Sequence, residues 1–314
     1  VARGARTLVL EASGGSQRWH YRAAPVVSYR FVDTDEEAMT EIQRFLSYMP
    51  ANNSLLPPEY EPVADAAQEQ DGILDILPER QAQVYDMRRI IEIIVDKGSF
   101  FEFKPRFGKA GTVGLARLNG KSVGIVANNP QFGGGALSQE ACRKIIDFQV
   151  MCDSFNIPIV RLMDTPGFVV GTEAERKGAP GWIMNFMNSS CLVTVPSITV
   201  IVRKAYGRAY VAMGGGRHND EMIAWPTAEV SFMDPNFATS IVHGVDIGEV
   251  GFEDALADIK KDSAVWDMAT IFSLQNIVKP QETRDYLIRM LDVYRLRKND
   301  GIGEHLMQTW PTSY

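Results

Sequence analysis

Residues 112–118 and 122–128 are two β-like runs that meet at Asn119-Gly120-Lys121, and this pair constrains the chain more than any other stretch. Asn-Gly between apolar runs favours the positive backbone angles of a tight hairpin. A helical pattern over 137–155 follows, then a short apolar run over 157–163 that reads as a buried strand. A second helical stretch near 180–192 leads into an apolar strand over 197–203, a tight Gly turn, a short helix and an extended run over 222–233. Long helices are expected over most of 250–300. Units of two strands and one helix predict an α/β layered domain. Periodicity alone does not select one α/β fold over another.

Upstream, residues 1–30 are Gly/Arg/Ser-rich and read as an arm. Thr34 with Glu37 forms a capping-box signature, and Met39, Ile42, Phe45 and Leu46 then recur at helical spacing, so a helix is expected over 35–48. Residues 50–82 carry Pro50, Pro57, Pro58, Pro62 and Pro78 among acidic residues and read as a connector lying on the rest of the chain. An amphipathic helix begins at Asp86 and stops at Gly98. The expected organisation is therefore an arm, helix and Pro-rich linker over 1–82 and one domain over 83–314.

Charge and composition exclude several classes. A net charge of −7 argues against wholesale binding of nucleic acid or anionic membrane. No apolar run reaches the ~18 residues that span a bilayer. Cys142, Cys152 and Cys191 lie in apolar stretches and read as reduced core residues, as suits the cytoplasm or, in a eukaryote, the mitochondrial matrix. His20, His218, His243 and His305 show no metal-ligand spacing, and no Gly-x-Ser-x-Gly elbow of a serine hydrolase is present. A His218–Asp220 pair is outweighed by a solvated loop.

Gly120-Lys121-Ser122 imitates the end of a phosphate-binding loop, and Asp164-Thr165-Pro166-Gly167 imitates a GTPase motif. The loop requires glycine five residues before Gly120, where Leu115 stands, and it must join a strand to a helix. Here it joins two strands, so a nucleotide hydrolase is strongly disfavoured. Better placed is Gly207-Arg208-Ala209, directly after an apolar strand. Glycine permits a sharp turn. If Arg208 and Ala209 open a helix, their N–H groups lack intrahelical partners and can hold an oxyanion. On local pattern alone an ordinary strand-to-helix turn is the stronger reading. Arg203 and Lys204 either snorkel at the strand end or meet a phosphate or carboxylate. The Asp164–Phe168 loop after a buried strand stands where α/β proteins place ligands, or is a plain connection with Asp164 capping local amides. Gly133-Gly134-Gly135 reads as a turn that allows close packing, and Trp182, Phe186, Trp225 and Phe232 as core or interface.

Taken in order, these stretches resemble the C-terminal half of the carboxyltransferase (beta-type) subunit of biotin-dependent acyl-CoA carboxylases, the propionyl-CoA type in particular. The runs that carry the resemblance are YDMRRII from Tyr85, GSFFEF from Gly98, VGLARLNGKSVGIVANNP from Val113, CDSFNIP from Cys152, DTPGF from Asp164, VRKAYG from Val202 and AWPTAEVSFM from Ala224. They extend from about residue 26 to the end with their order kept.

The resemblance implies a crotonase-like ββα superhelix, a single domain preceded by a helical and extended linker. It implies movement of a carboxyl group between carboxybiotin, on a separate carrier, and the α-carbon of an acyl-CoA, with no metal in this chain. The family's first domain, which holds acyl-CoA, would come from a homologous partner chain, and a biotin carboxylase/carrier subunit would complete a hetero-oligomer. Carried over residue by residue, the amides that polarise the biotin ureido oxygen fall on Arg208 and Ala209 after Gly207, where the family usually has Gly-Ala. The pocket takes in Asp164, Thr165, Pro166, Gly167 and Phe168, with Tyr206, Tyr210 and Val211 at the turn. Propionyl-type relatives often carry Asp at the position of Val211, which helps set acyl preference.

One segment departs. Where relatives carry Arg-His-Gly-Ala-Lys on the helix lining the biotin pocket, an ungapped match places Gly181-Trp182-Ile183-Met184-Asn185. Trp182 and Asn185 thus occupy pocket positions with altered chemistry. That change keeps open a biotin-independent acyl-CoA decarboxylase, lyase or hydrolase of the same fold, and a non-catalytic structural subunit.

Overall fold

A computed structural model describes residues 10–12, 30–62, 70–216, 219–261, 263–296 and 299–307. Strands β1 (Leu10–Ala12) and β2 (Arg30–Val32) form a short parallel ribbon. Helix α1 (Asp35–Leu46) starts as its sequence dictates: Thr34 Oγ1 accepts from Glu37 N at 3.1 Å, while Glu37 Oε2 accepts from Asp33 N at 2.8 Å. The short α2 (Gly72–Ile76) follows, and then α3 (Met87–Ile94), capped by Asp86.

Strands β3 (Phe101–Phe103), β4 (Gly111–Leu118) and β5 (Lys121–Asn128) form an antiparallel meander. Leu118 pairs with Lys121, and the two turn residues, Asn119 and Gly120, have φ of 52° and 76°, the mirror-image turn expected of Asn-Gly. From there the chain runs through α4 (Gln139–Ser154), β6 (Ile159–Thr165), α5 (Thr172–Arg176), α6 (Ala179–Cys191), β7 (Ser197–Tyr206) and α7 (Gly207–Ala212). The expected extended run over 222–233 is broken at Pro226 into β8 (Glu221–Ala224) and β9 (Glu229–Ser231). Proline has no N–H to give a central ladder. The long helices expected over 250–300 are replaced by shorter pieces. After α8 (Pro235–His243) come α9 (Phe252–Lys260), α10 (Val265–Thr270), the edge strand β10 (Asn276–Ile277) and α11 (Thr283–Tyr294).

One sheet, ordered β10-β8-β7-β6-β5-β4-β3 with β9 beside the end of β7, is parallel from β5 to β10. Alternate residues of its central strands feed two cores. Val113, Leu115, Val126, Ile159, Met163 and Ile201 pack under α4 and α6. Ala116, Ile125, Val160, Leu162, Val200 and Val202 pack under α3 and α11. Ile73 and Ile76 of the Pro-rich connector are buried in that second core, so the connector lies on the domain through α2. Strands buried on both faces read as near-continuous apolar runs, as these do. Among the described residues no helix is long and apolar enough to cross a membrane.

Candidate functional site

Strands β6 and β7 are parallel neighbours that end together, with Thr165 beside Ala205, so the loop leaving β6 and the turn leaving β7 share one edge of the sheet. Carboxyl ends of parallel strands are where α/β sheets present ligand sites. The register slips between Met163 and Thr165, and Asp164 sits in the slip.

At the end of β7 the chain turns at Gly207, whose φ is +59°. A Cβ there would stand 3.0 Å from the carbonyl oxygen of Phe232. Glycine is favoured by the backbone angle, and a side chain would also crowd that carbonyl. Helix α7 is six residues long, and its first N–H groups, those of Gly207, Arg208 and Ala209, have no carbonyl one turn back to bond. The Arg208 side chain is exposed and that of Ala209 fully buried, so Ala209 anchors the turn while Arg208 leaves it. The far end of α7 is tied to α6 by Ser190 Oγ, which donates to Ala212 O at 2.8 Å.

Asp164 was expected on the pocket wall; it stands behind the wall. Its side chain is 0% exposed and accepts from Arg203 Nε at 2.8 Å, from Tyr85 Oη at 2.9 Å and from Lys204 N at 3.2 Å. Arg203 also donates to Gln83 O at 3.1 Å and lies 4.7 Å over the Tyr85 ring, so it is spent inside the protein rather than on a phosphate or carboxylate ligand. Burial first, and the charge of Asp164 second, push the Tyr85 phenol well above its ordinary range, which keeps it a proton donor. This network pins the strand end from which the Gly207 turn departs.

The remaining site residues divide. Thr165 is buried, and its hydroxyl accepts from Gly167 N at 3.2 Å, shaping the loop. Pro166 and Tyr206 line a polar pocket of ≈ 160 Å³ together with Lys204, Glu229, Asp234 and Lys260. Tyr206 donates a short hydrogen bond to Glu229, and burial, then that bond, raise its pKa. Phe168 and Trp182 line a separate cavity of ≈ 130 Å³ with Leu137, Cys142, Ala179 and Ile183. Tyr210 is turned back onto its own helix end: its hydroxyl accepts from Gly216 N at 3.1 Å. Val211, next to it, is half-buried. Asn185, expected in the pocket, is 1% exposed and lines neither cavity; neither atom of its amide has a hydrogen-bond partner among the described residues.

Glu229, Asp234 and Lys260 escaped sequence reasoning. Only Asp234 had a local signal, since Asp before Pro235 marks a helix start, and its Oδ1 caps Asn236 N at 3.0 Å. Gly135 behaves as the tight-packing turn expected of it: a Cβ there would lie 2.3 Å from Asp164 O. Cys142 and Cys152 are buried as expected, but Cys191 is exposed, because it ends α6 where the helix leaves the core. Among the described residues no group of His, Cys, Asp or Glu has the makings of a metal site. His218, and with it the pairing to Asp220, lies outside the described residues.

A parallel-centred sheet opened by a ββα unit, with a glycine turn into a short helix at its carboxyl edge, is a crotonase-like α/β domain. Residues 9–301 match the family model of the carboxyl transferase domain, and the chain belongs to that family. It is 36% identical, over 87% of its length and 54% of the relative's, to a propionyl-CoA carboxylase carboxyltransferase subunit of Haloferax mediterranei. It is 32% identical, over 85% of its length and 53% of the relative's, to the methylmalonyl-CoA decarboxylase subunit alpha of Propionigenium modestum. The crystal structure of transcarboxylase 12S with methylmalonyl-coenzyme A bound superposes with a TM-score of 0.82 at 31% identity, covering 87% of this chain and 54% of that one. The chain thus spans about half the length of the relatives it matches.

Proposed function

We propose that this chain is the carboxyltransferase half that moves a carboxyl group between carboxybiotin and the α-carbon of an acyl-CoA, acting with a homologous partner chain that supplies the other half. Membership of the carboxyl transferase family over residues 9–301 carries the proposal. The site's chemistry supports it. Carboxyl transfer builds negative charge on an oxygen, and unpartnered N–H groups held by a rigid turn stabilise such charge without reorganising. Arg208 N and Ala209 N are that pair. Gly207 supplies the bend, while Ser190 and the Asp164–Arg203–Tyr85 network hold its two sides.

The donor set fits a ureido oxygen, which needs N–H donors and no cation; biotin on its carrier would bring the carboxyl group to be moved. This chain's own part is to point two amides at the developing charge and to shape the walls through Pro166, Phe168 and Trp182. Exposed apolar residues near the turn support a covering partner. Phe232 is 85% exposed, and Phe237 and Ile241, one turn apart on α8, are 62% and 58% exposed.

The test is carboxyl exchange by the chain reconstituted with a first-domain partner, a biotinylated carrier with its biotin carboxylase, and acyl-CoAs of graded length. Exchange with one of them is expected, and none with any length overturns the proposal. A second reading, decarboxylation of an acyl-CoA by the same amides, is favoured by the Propionigenium modestum relative and the altered 181–185 segment. Loss of CO₂ from a carboxyacyl-CoA without added biotin would select it.

A further inference from the structure

Arg203, Lys204 and Arg208 stand at the end of β7 or just past it. The first two are spent inside the protein. Arg203 Nε lies 2.8 Å, and Lys204 Nζ 3.8 Å, from the buried Asp164 carboxylate. Arg208 is different. Its side chain is exposed and makes no hydrogen bond, ion pair or ring contact among the described residues. Glu229 and Asp234, the carboxylates lining the polar pocket beside Tyr206, do not pair with it: Glu229 accepts from the Tyr206 hydroxyl, and Asp234 caps α8.

An unpaired surface charge is ordinarily just solvated, and it is position that sets this one apart. Arg208 is the second residue of α7, and helical side chains lean back toward the amino end of their helix. The guanidinium therefore projects to the same end of α7 as the free N–H groups of Arg208 and Ala209. The ligand read for those amides is a ureido oxygen. In the carboxylated ring, the carboxyl group sits on the ureido nitrogen next to that oxygen. It carries one negative charge and presents two oxygens in a plane, and a guanidinium offers a planar fork of donors that matches them. One residue can thus meet both features, with its N–H on the ureido oxygen and its side chain on the carboxylate. We infer that the Arg208 guanidinium takes the carboxylate of carboxybiotin, so that this chain prefers the charged carrier to the discharged one. Arg208 is then a specificity-determining residue, acting on ligand that carries the carboxylate and indifferent to ligand that has lost it. The inference rests on the biotin reading above.

The test reads binding rather than turnover, and it needs no partner. Biotinamide, its N1-carboxylate and the neutral N1-methoxycarbonyl analogue are titrated at low salt into the ¹⁵N-labelled chain, following the Ala209 amide and Arg208 Nε by NMR. The carboxylate should bind about fivefold tighter than the neutral analogue of matching shape, the most that an exposed ion pair ordinarily gives. That ratio should fade toward 1 M salt, where the screening length is about 3 Å. Arg208→Gln, in a variant with the parent's melting temperature, should bring the ratio to about one, and Arg208→Lys, a charge without the fork, should hold part of it. Lys260→Gln removes the exposed cation of the polar pocket and should leave the ratio in place. A ratio near one in the parent, one that survives Arg208→Gln, or one lost in Lys260→Gln overturns the inference and leaves the biotin reading standing. No movement of the Ala209 amide with any of the three ligands removes the biotin reading and the inference with it.

Discussion

Arg203 Nε lies 2.8 Å from Oδ2 of Asp164 in a pair whose side chains are 2% and 0% exposed. Removing one partner of such a pair leaves the other charge buried and uncompensated, at a cost of about 3–5 kcal/mol. Asp164→Ala should lower the unfolding free energy by that amount in urea denaturation. Arg203→Met should lose less, since Tyr85 and Lys204 N still serve the carboxylate. A loss below about 1 kcal/mol for Asp164→Ala would instead place the carboxylate on the ligand side of the wall.

Gly207→Val puts a β-branched residue at φ +59° with its Cβ 3.0 Å from Phe232 O. A side chain in the left-handed region costs roughly 1–2 kcal/mol, too little to unfold the domain. The turn must shift, and with it both amides. Losing one oxyanion donor costs about 10²–10³ in turnover, so the variant should keep its melting temperature within a few degrees and lose carboxyl exchange by at least about 10²-fold. Full exchange in a folded variant removes the oxyanion assignment.

Lys144 lies on α4 with its Nζ buried and without a hydrogen-bond partner among the described residues, and burial lowers its pKa to about 8. The folded-state value lies below the ordinary value of 10.5, so between the two the unfolded chain binds more protons. Stability therefore rises with pH across that window and is lowest below pH 8, where the charged amine is buried. The full swing is on the order of 3 kcal/mol. Lys144→Met should stabilise the protein at pH 7 and flatten the rise between pH 8 and 10.5 in denaturation curves. An unchanged slope would show the amine to be hydrated.

Cysteine labelling reads burial directly. Cys142, pushed up to about 12, and Cys152, raised well above the ordinary thiol range by complete burial, should resist a maleimide in the native protein, while Cys191 reacts. Partial burial raises the Cys191 thiol too, so its rate should climb with pH. Mass spectrometry of the native protein should show one label per chain, and three after unfolding. Label on Cys142 would mean that the apolar cavity admits water and reagent freely.

Several elements were legible because their causes are local. The Asn119-Gly120 turn, the Thr34 cap with Glu37, and the apolar β6 and β7 runs each follow from sterics or bonding between residues a few positions apart. The local pattern at Gly207 is weak alone, and only its place among the ordered motifs distinguishes it from an ordinary strand-to-helix turn. Pro226 could have been read as a strand breaker and the 222–233 run divided accordingly; the apolar residues around it masked the signal.

By itself the sequence determined which segments turn, cap and alternate, since near-neighbour sterics and periodicity act within one or two turns of chain. Tertiary structure alone decided what each polar group faces. Asp164 reads as a loop carboxylate open to ligand until β7 is laid beside β6 and brings Arg203 and Lys204 N against it. The apolar cavity is equally non-local: Leu137, Phe168, Ala179 and Trp182 come from segments with no common period and meet through the Leu137–Phe168 bridge and the fold of α6 against α4. Burial and cavity shape depend on which surfaces long-range packing removes from water, and no window of local sequence contains that information.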